Sequence, residues 1–140
     1  VGKIILQQAD VSYRLTNKRK VYEWIEKVIR SFKKAPGEIG IILCSDEYLL
    51  DLNNRFLSHD YYTDIITFDY SEFPLISGEL YISLDRVIDN AIKENTHTRN
   101  ELDRVIIHGV LHLCGFKDKT KDQKNEMRLQ EDKMLKKRTW

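Results

Sequence analysis

The sequence predicts an α+β domain, a small mixed sheet of about four strands with helices packed against it, and three observations lead there. Four short runs rich in Ile, Leu, Val, Tyr and Phe lie between residues 3 and 83. The stretches between and after them carry apolar residues at helical rather than alternating spacing. The stretch opening at Thr98 is so apolar that most of it must be buried, yet it carries two of the chain's four histidines.

Taken in order, Lys3 to Gln7 reads as the first strand. Asn17 to Lys33 reads as a helix, with Val21, Trp24, Ile25, Val28, Ile29 and Phe32 on one face, and Ala35-Pro36-Gly37 is expected to end it. Glu38 to Cys44 is a second strand, too uniformly apolar to have a solvent face and therefore central. Ser45 is a natural N-cap for a short helix to about Arg55, with Asp46 and Glu47 favourably placed in its first turn. Asp64 to Tyr70 and Gly78 to Ser83 read as the third and fourth strands, joined by a loop holding Pro74. Leu84 to Asn95 is helical. Thr98-x-x-Glu101 and Thr120-x-x-Gln123 match the capping box, and each is expected to open a helix. The last of these turns Met127, Met134 and Leu135 inward.

A length of 140 residues, 41% hydrophobic and 32% charged, suits one domain over 1–140 with a single core. No run approaches the roughly 20 apolar residues that span a bilayer, and no signal peptide is read at the start, so no membrane partner is expected. Cys44 and Cys114 are too few for a disulfide framework and suit a reducing cytoplasm. The net charge of +1 hides an uneven distribution. Arg14 to Lys34 holds eight basic residues against Glu23 and Glu26, while Glu38 to Asp103 holds fourteen acidic against four basic. Such polarity permits a polyanionic partner without requiring one.

The chemistry concentrates in His108-Gly-Val-Leu-His112-Leu-Cys-Gly115-Phe-Lys-Asp118. Histidines four apart share a helix face, about 5–6 Å apart at Cβ, within reach of one metal ion. Gly115 can end the helix in a left-handed turn and bring the Asp118 carboxylate to the same ion, unless that carboxylate only tethers the loop. Three ligands leave a fourth position open, as in a catalytic rather than a structural zinc site. The spacing parallels the metzincin protease pattern H-E-x-x-H-x-x-G-x-x-H, but Gly109 stands where those proteases carry their glutamate base. Gly109 is expected instead to leave space beside the ion.

The run His108-Gly-Val-Leu-His112-Leu-Cys-Gly115-Phe116 resembles the signature of the YbeY family of bacterial endoribonucleases and rRNA maturation factors, H-G-x-L-H-L-x-G-Y/F-D-H. Leu52-Asn53, Asp60 and Thr63-Asp64-Ile65-Ile66-Thr67-Phe68 resemble a second block of that family, and Gly78-Glu79-Leu80-Tyr81-Ile82-Ser83 a third. Glu101-Leu102 and Met127…Glu131 also match in order and spacing. The resemblance implies a zincin-like fold, one divalent metal usually taken as zinc, and cleavage of single-stranded RNA in rRNA processing. It also implies the small ribosomal subunit and ribosomal proteins as partners. The alternatives are an RNA-binding maturation factor with a largely structural metal, or a hydrolase of another phosphoester or amide.

Two departures from the family pattern stand out. Its third metal histidine aligns with Asp118, exchanging nitrogen for a harder oxygen, which also admits manganese or magnesium. Its arginine four residues after the Asn of L-N, suited to a scissile phosphate, aligns with Leu57. Arg55, Lys117 and Lys119 are the substitutes at hand, although loop lysines can equally be solvated charges. Asp64 and Glu79 are acidic residues in family-like blocks, either of which can serve the site or only the structure.

Overall fold

Ile39, Ile41 and Leu43 alternate along one strand, Leu80 and Ile82 along another, and all five are buried. This places the two strands side by side at the centre of the sheet. The computed structural model describes residues 2–57 and 63–140, so Asp60 lies outside the described residues. The elements in chain order are β1 (Lys3–Gln8), α1 (Lys18–Ser31), β2 (Ala35–Cys44), α2 (Asp46–Leu57), β3 (Ile65–Asp69), β4 (Leu75–Ser83), α3 (Leu84–Lys93), α4 (Thr98–Leu113) and α5 (Lys121–Leu135). The sheet runs β1-β2-β4-β3. β1, β2 and β4 are parallel, and β3 joins antiparallel at the edge, with Ile65 opposite Ile82 and Thr67 opposite Leu80.

The sheet's two faces are covered unequally. Core residues of α1, α3, α4 and α5 gather on the face that carries Ile41, Leu80 and Ile82. On the opposite face a smaller cluster joins Leu49 of α2 to Cys44 and Ile66, flanked by Leu52, Phe68 and Tyr81.

Three expectations from sequence give way here. Ala35 and Pro36 do not end α1 but begin β2, pairing with Leu75 and Ile76 of β4, which itself starts three residues earlier than expected. A register shift between Pro36 and Ile39 accommodates a proline that has no N–H for the ladder. α1 stops at Ser31, and Lys33 turns the chain with φ 61°. Thr98 does not cap α4. The N-cap is His97, without a side-chain bond, and Glu101 is drawn into the interior with its carboxyl pushed up by burial. The boxes proposed at Thr120 and the cap at Ser45 do form, through Gln123 and the Tyr48 amide respectively.

α4 is the element around which the site is built. Leu102, Ile106, Ile107, Val110, Leu111 and Leu113 are fully buried. At about 1.5–3 kcal/mol for each such side chain, their burial far outweighs the roughly 1 kcal/mol that a mid-helix glycine costs. That glycine, Gly109, faces the sheet rather than the site. A Cβ built there would stand 2.8 Å from both Ile65 Cδ1 and Leu80 Cδ1, so the expected space beside an ion is instead a close helix–sheet approach. Alanine at 109 would gain about 1 kcal/mol of helix propensity and meet an overpacking cost of about 1–3 kcal/mol. The crowding comes from two β-sheet neighbours at once, so the overpacking wins. Gly109→Ala is expected to lower the unfolding free energy, measured by equilibrium denaturation, by a net of up to about 2 kcal/mol.

Candidate metal centre

Burying the apolar stripe of α4 leaves His108 and His112 on its remaining face, half-buried, with ring centroids 4.6 Å apart. The helix ends where Gly115 adopts φ +106°. The Gly115 amide donates to the His112 carbonyl (3.0 Å) and the Phe116 amide to the Leu111 carbonyl (3.0 Å), the paired bonds of a Schellman turn. Residues after α1 buttress this turn. Lys34 Nζ donates to the Cys114 carbonyl (2.8 Å), and Phe32 packs edge-on against Phe116 with centroids 5.2 Å apart.

The turn places two groups at once. His112 Nδ1–H donates to the Phe116 carbonyl (2.9 Å), and Asp118 is swung back so that its Oδ2 lies 3.3 Å from His108 Nε2 and 3.4 Å from His112 Nε2. A carbonyl oxygen only accepts, so the Nδ1 proton is fixed there and the Nε2 lone pair is free. His108 Nδ1 lies 2.6 Å from Glu131 Oε2 of α5. Its Nε2 therefore faces Asp118 as well. Among the described residues, His108, His112 and Asp118 form the one group of three or more His, Cys, Asp or Glu able to share an ion. Two imidazole nitrogens and a carboxylate oxygen are ordinary ligands for a divalent metal, and the set fits one.

The triad opens on a cleft of about 470 Å³, lined also by Asn53, Leu57, Thr63, Asp64, Ile65, Ile66, Thr67 and Asp69. One wall is edge strand β3, and the rim is the last turn of α2. Burial pushes the Asp64 carboxyl up, against the attraction of His108. Burial pulls the His108 imidazolium down, but the hydrogen bond and charge of Glu131, with Asp118 and Asp64, more than offset it, so its pKa is raised above 6.5.

The residues anticipated from sequence separate here. His108, His112 and Asp118 come together. Arg55 does not line the cleft and reaches instead to Asp51 (3.5 Å) on the exposed side of α2, while Leu57 borders the cleft in the place of the family arginine. Lys117 and Lys119 are exposed on either side of Asp118, outside the lining, and the Lys119 amide donates to Gln123. Among the described residues that line the cleft there is no Lys or Arg and there are three aspartates. Glu79 lies away from the triad, on the opposite sheet face, where the Tyr70 and Tyr81 hydroxyls donate to it (3.1 and 3.4 Å). The sequence reading missed Glu131 as a neighbour of His108. The signal was available: Glu131 sits at the i+4 position from Met127, on the buried stripe of α5, where a carboxylate needs a partner.

The family model of Endoribonuclease YbeY matches residues 4–139. A Porphyromonas gingivalis protein named Endoribonuclease YbeY is 48% identical over 135 residues, 96% of this chain and 89% of the relative. Relatives of the same name from Cytophaga hutchinsonii and Bacteroides fragilis are 46% and 50% identical, over 94% and 84% of this chain and 93% and 85% of their own. The solution structure of a Thermotoga maritima protein superposes with a TM-score of 0.66 at 25% identity, covering 96% of this chain and 87% of that one.

Two outcomes follow from the geometry. Gly115→Ala meets no steric neighbour, so its cost is the strained φ alone. It is expected to weaken metal retention after dialysis, measured by elemental analysis, while leaving α4 intact by circular dichroism. The second outcome concerns pH. In chelator-treated protein the raised His108 contributes stability that is full below 6.5 and is lost as pH rises through its folded value. Metal binding requires the neutral ring and so strengthens over the same rise. Melting temperatures of metal-free and metal-loaded protein should therefore diverge as pH increases above 6.5, and parallel curves would contradict this coupling.

Proposed function

The chain belongs to the Endoribonuclease YbeY family, and on that premise we propose that it is a metal-dependent endoribonuclease cutting single-stranded RNA during rRNA maturation. In this reading residues 1–140 act as one domain in the cytoplasm, with rRNA, the small ribosomal subunit and ribosomal proteins as partners. None of the described helices is long and apolar enough to cross a membrane. The observation that carries the proposal is the three-ligand set at the floor of an open cleft, because a purely structural metal would be enclosed by four protein ligands.

Zinc is the ion this reading adopts, because two imidazole nitrogens and one carboxylate oxygen are ordinary zinc ligands and His108, His112 and Asp118 supply that set. His108, His112 and Asp118 would hold the ion, which would supply Lewis-acid polarisation and acidify a water, less so beside the anionic Asp118 than beside three neutral histidines.

The protein's own residues do the rest. Asp64 lines the cleft with its carboxyl pushed up by burial, and this supports giving it the role of taking a proton from an attacking water and returning it to the leaving oxygen. Thr63, Thr67 and Asn53 line the approach with hydrogen-bonding groups. Charge on the phosphoryl group must be met from outside the lining, by Arg55, Lys117 or Lys119. A second reading, an RNA-binding maturation factor whose metal is largely structural, is favoured by Leu57 and by the lack of Lys or Arg among the described lining residues.

Zinc-loaded protein incubated with single-stranded RNA is expected to cleave it, and His108→Ala to lose about 100-fold or more of that rate, since removing only a ligand's supporting partner already costs about 10–100-fold. Co-sedimentation with small ribosomal subunits without cleavage would replace the nuclease reading with the factor reading.

A further inference from the structure

The two histidines are held by different kinds of acceptor. His112 donates its Nδ1–H to a neutral carbonyl, whereas His108 faces a carboxylate that is itself held from its other side. Glu131 is 6% exposed, too buried for water to satisfy it. Its Oε2 meets His108 Nδ1 at 2.6 Å, and its Oε1 accepts from Arg104 Nη1 at 3.0 Å. Arg104 and His108 are one helical turn apart on α4, so a single helix face grips both oxygens of one carboxylate from α5. The other arm of the guanidinium is occupied, because Arg104 Nη2 donates to Asp132 Oδ1 at 2.7 Å.

We propose that Glu131, locked by Arg104, is a positioning residue that dictates which nitrogen of His108 faces the metal. An ionised carboxylate has no proton to give, so His108 must donate from Nδ1 and keep Nε2 bare toward His112 and Asp118. The negative charge behind the ring also pushes electron density toward Nε2 of His108. Arg104 supplies the direction of this control. Its guanidinium only donates, so whatever stands at 131 must present an acceptor to Arg104.

This yields an outcome that a simple packing role does not produce. In Glu131→Gln the amide oxygen is claimed by Arg104, which turns the amide NH2 toward His108. His108 must then accept at Nδ1, and its proton moves to Nε2, the ligand atom. Adding Arg104→Met frees the amide to rotate, so the double variant should recover the original tautomer. The proposal rests on the metal-centre reading, but its readouts need no RNA.

The test is ¹⁵N NMR of the imidazole nitrogens in metal-free protein at alkaline pH, with zinc affinity measured by chelator competition. Expected are an Nδ1–H tautomer for His108 in the unaltered chain, an Nε2–H tautomer in Glu131→Gln, and zinc binding weakened about 10–100-fold in that variant. Glu131→Gln/Arg104→Met should regain both the tautomer and most of the affinity. Melting temperatures identify variants that lose the fold, and in that event Glu131→Asp takes the place of Glu131→Gln, with the original tautomer and weaker zinc binding expected. An unchanged tautomer and affinity in Glu131→Gln, or a double variant no better than the single one, would overturn the assignment. Loss of RNA cleavage activity in the unaltered chain, with these readouts as expected, would overturn the nuclease reading alone.

Discussion

The seating of α4 on strands β3 and β4 is the constraint from which the rest of the site follows. A helix so apolar has little choice about which side it buries, and Gly109 lets it come close enough for Ile65 and Leu80 to meet its backbone surface. Once that face is committed, the direction of every other side chain on α4 is set by helical geometry. His108 and His112 are left facing the cleft, Arg104 and His108 face α5, and Asp103 is driven into the interior. There Asp103 is neutralised by Arg99 (2.9 Å) and Arg138 (2.8 Å) and accepts from Trp140 Nε1 (3.1 Å). The same seating thus orients His108 and His112 and ties down the C-terminal segment.

Rigidity at the triad comes from three separate segments. The Schellman turn holds Phe116 and Asp118 in place, the residues after α1 brace that turn through Lys34 and Phe32, and α5 brings Glu131. Each contact acts on a different atom: a carbonyl on one Nδ1, a carboxylate on the other, and a second carboxylate between the two Nε2 atoms. The ligand atoms are therefore arranged in advance, with little conformational freedom left to lose when an ion binds. The electrostatic consequence is less favourable to a phosphodiester. The described lining residues include three aspartates and no Lys or Arg, and Lys117 and Lys119 lie exposed outside the lining.

Much of the fold was legible because it depends on local pattern. The Thr120–Gln123 box and the Ser45 cap formed where their spacing placed them, since each needs only a few consecutive residues and exposed backbone. Thr98–Glu101 has the same spacing and failed, because Glu101 lies on the face of α4 that tertiary packing buries. Ala35-Pro36-Gly37 read as a helix stop for the same kind of reason. Its turn-forming residues were correctly noticed, but the Ala35 amide finds the Pro74 carbonyl (2.9 Å) and the segment is recruited into the sheet. Gly109 was read as space for a ligand, when the crowding that explains it comes from strands more than twenty residues earlier in the chain.

What the sequence determined by itself was the triad. Spacing of four along a helix and a glycine able to take positive φ bring His108, His112 and Asp118 together over eleven residues, and distant contacts then brace what that local pattern sets. What only the tertiary structure decided was which groups come to surround those ligands and which do not. Glu131, 23 positions from His108, is brought against it and Asp64 lines the same cleft, whereas Glu79 is carried to the far face of the sheet and Arg55 turns toward Asp51. The physical reason is range. Helix periodicity and turn conformation are set by bonds between near neighbours, whereas burial and the pairing of a carboxylate with an imidazole depend on which surfaces the packed core brings into contact.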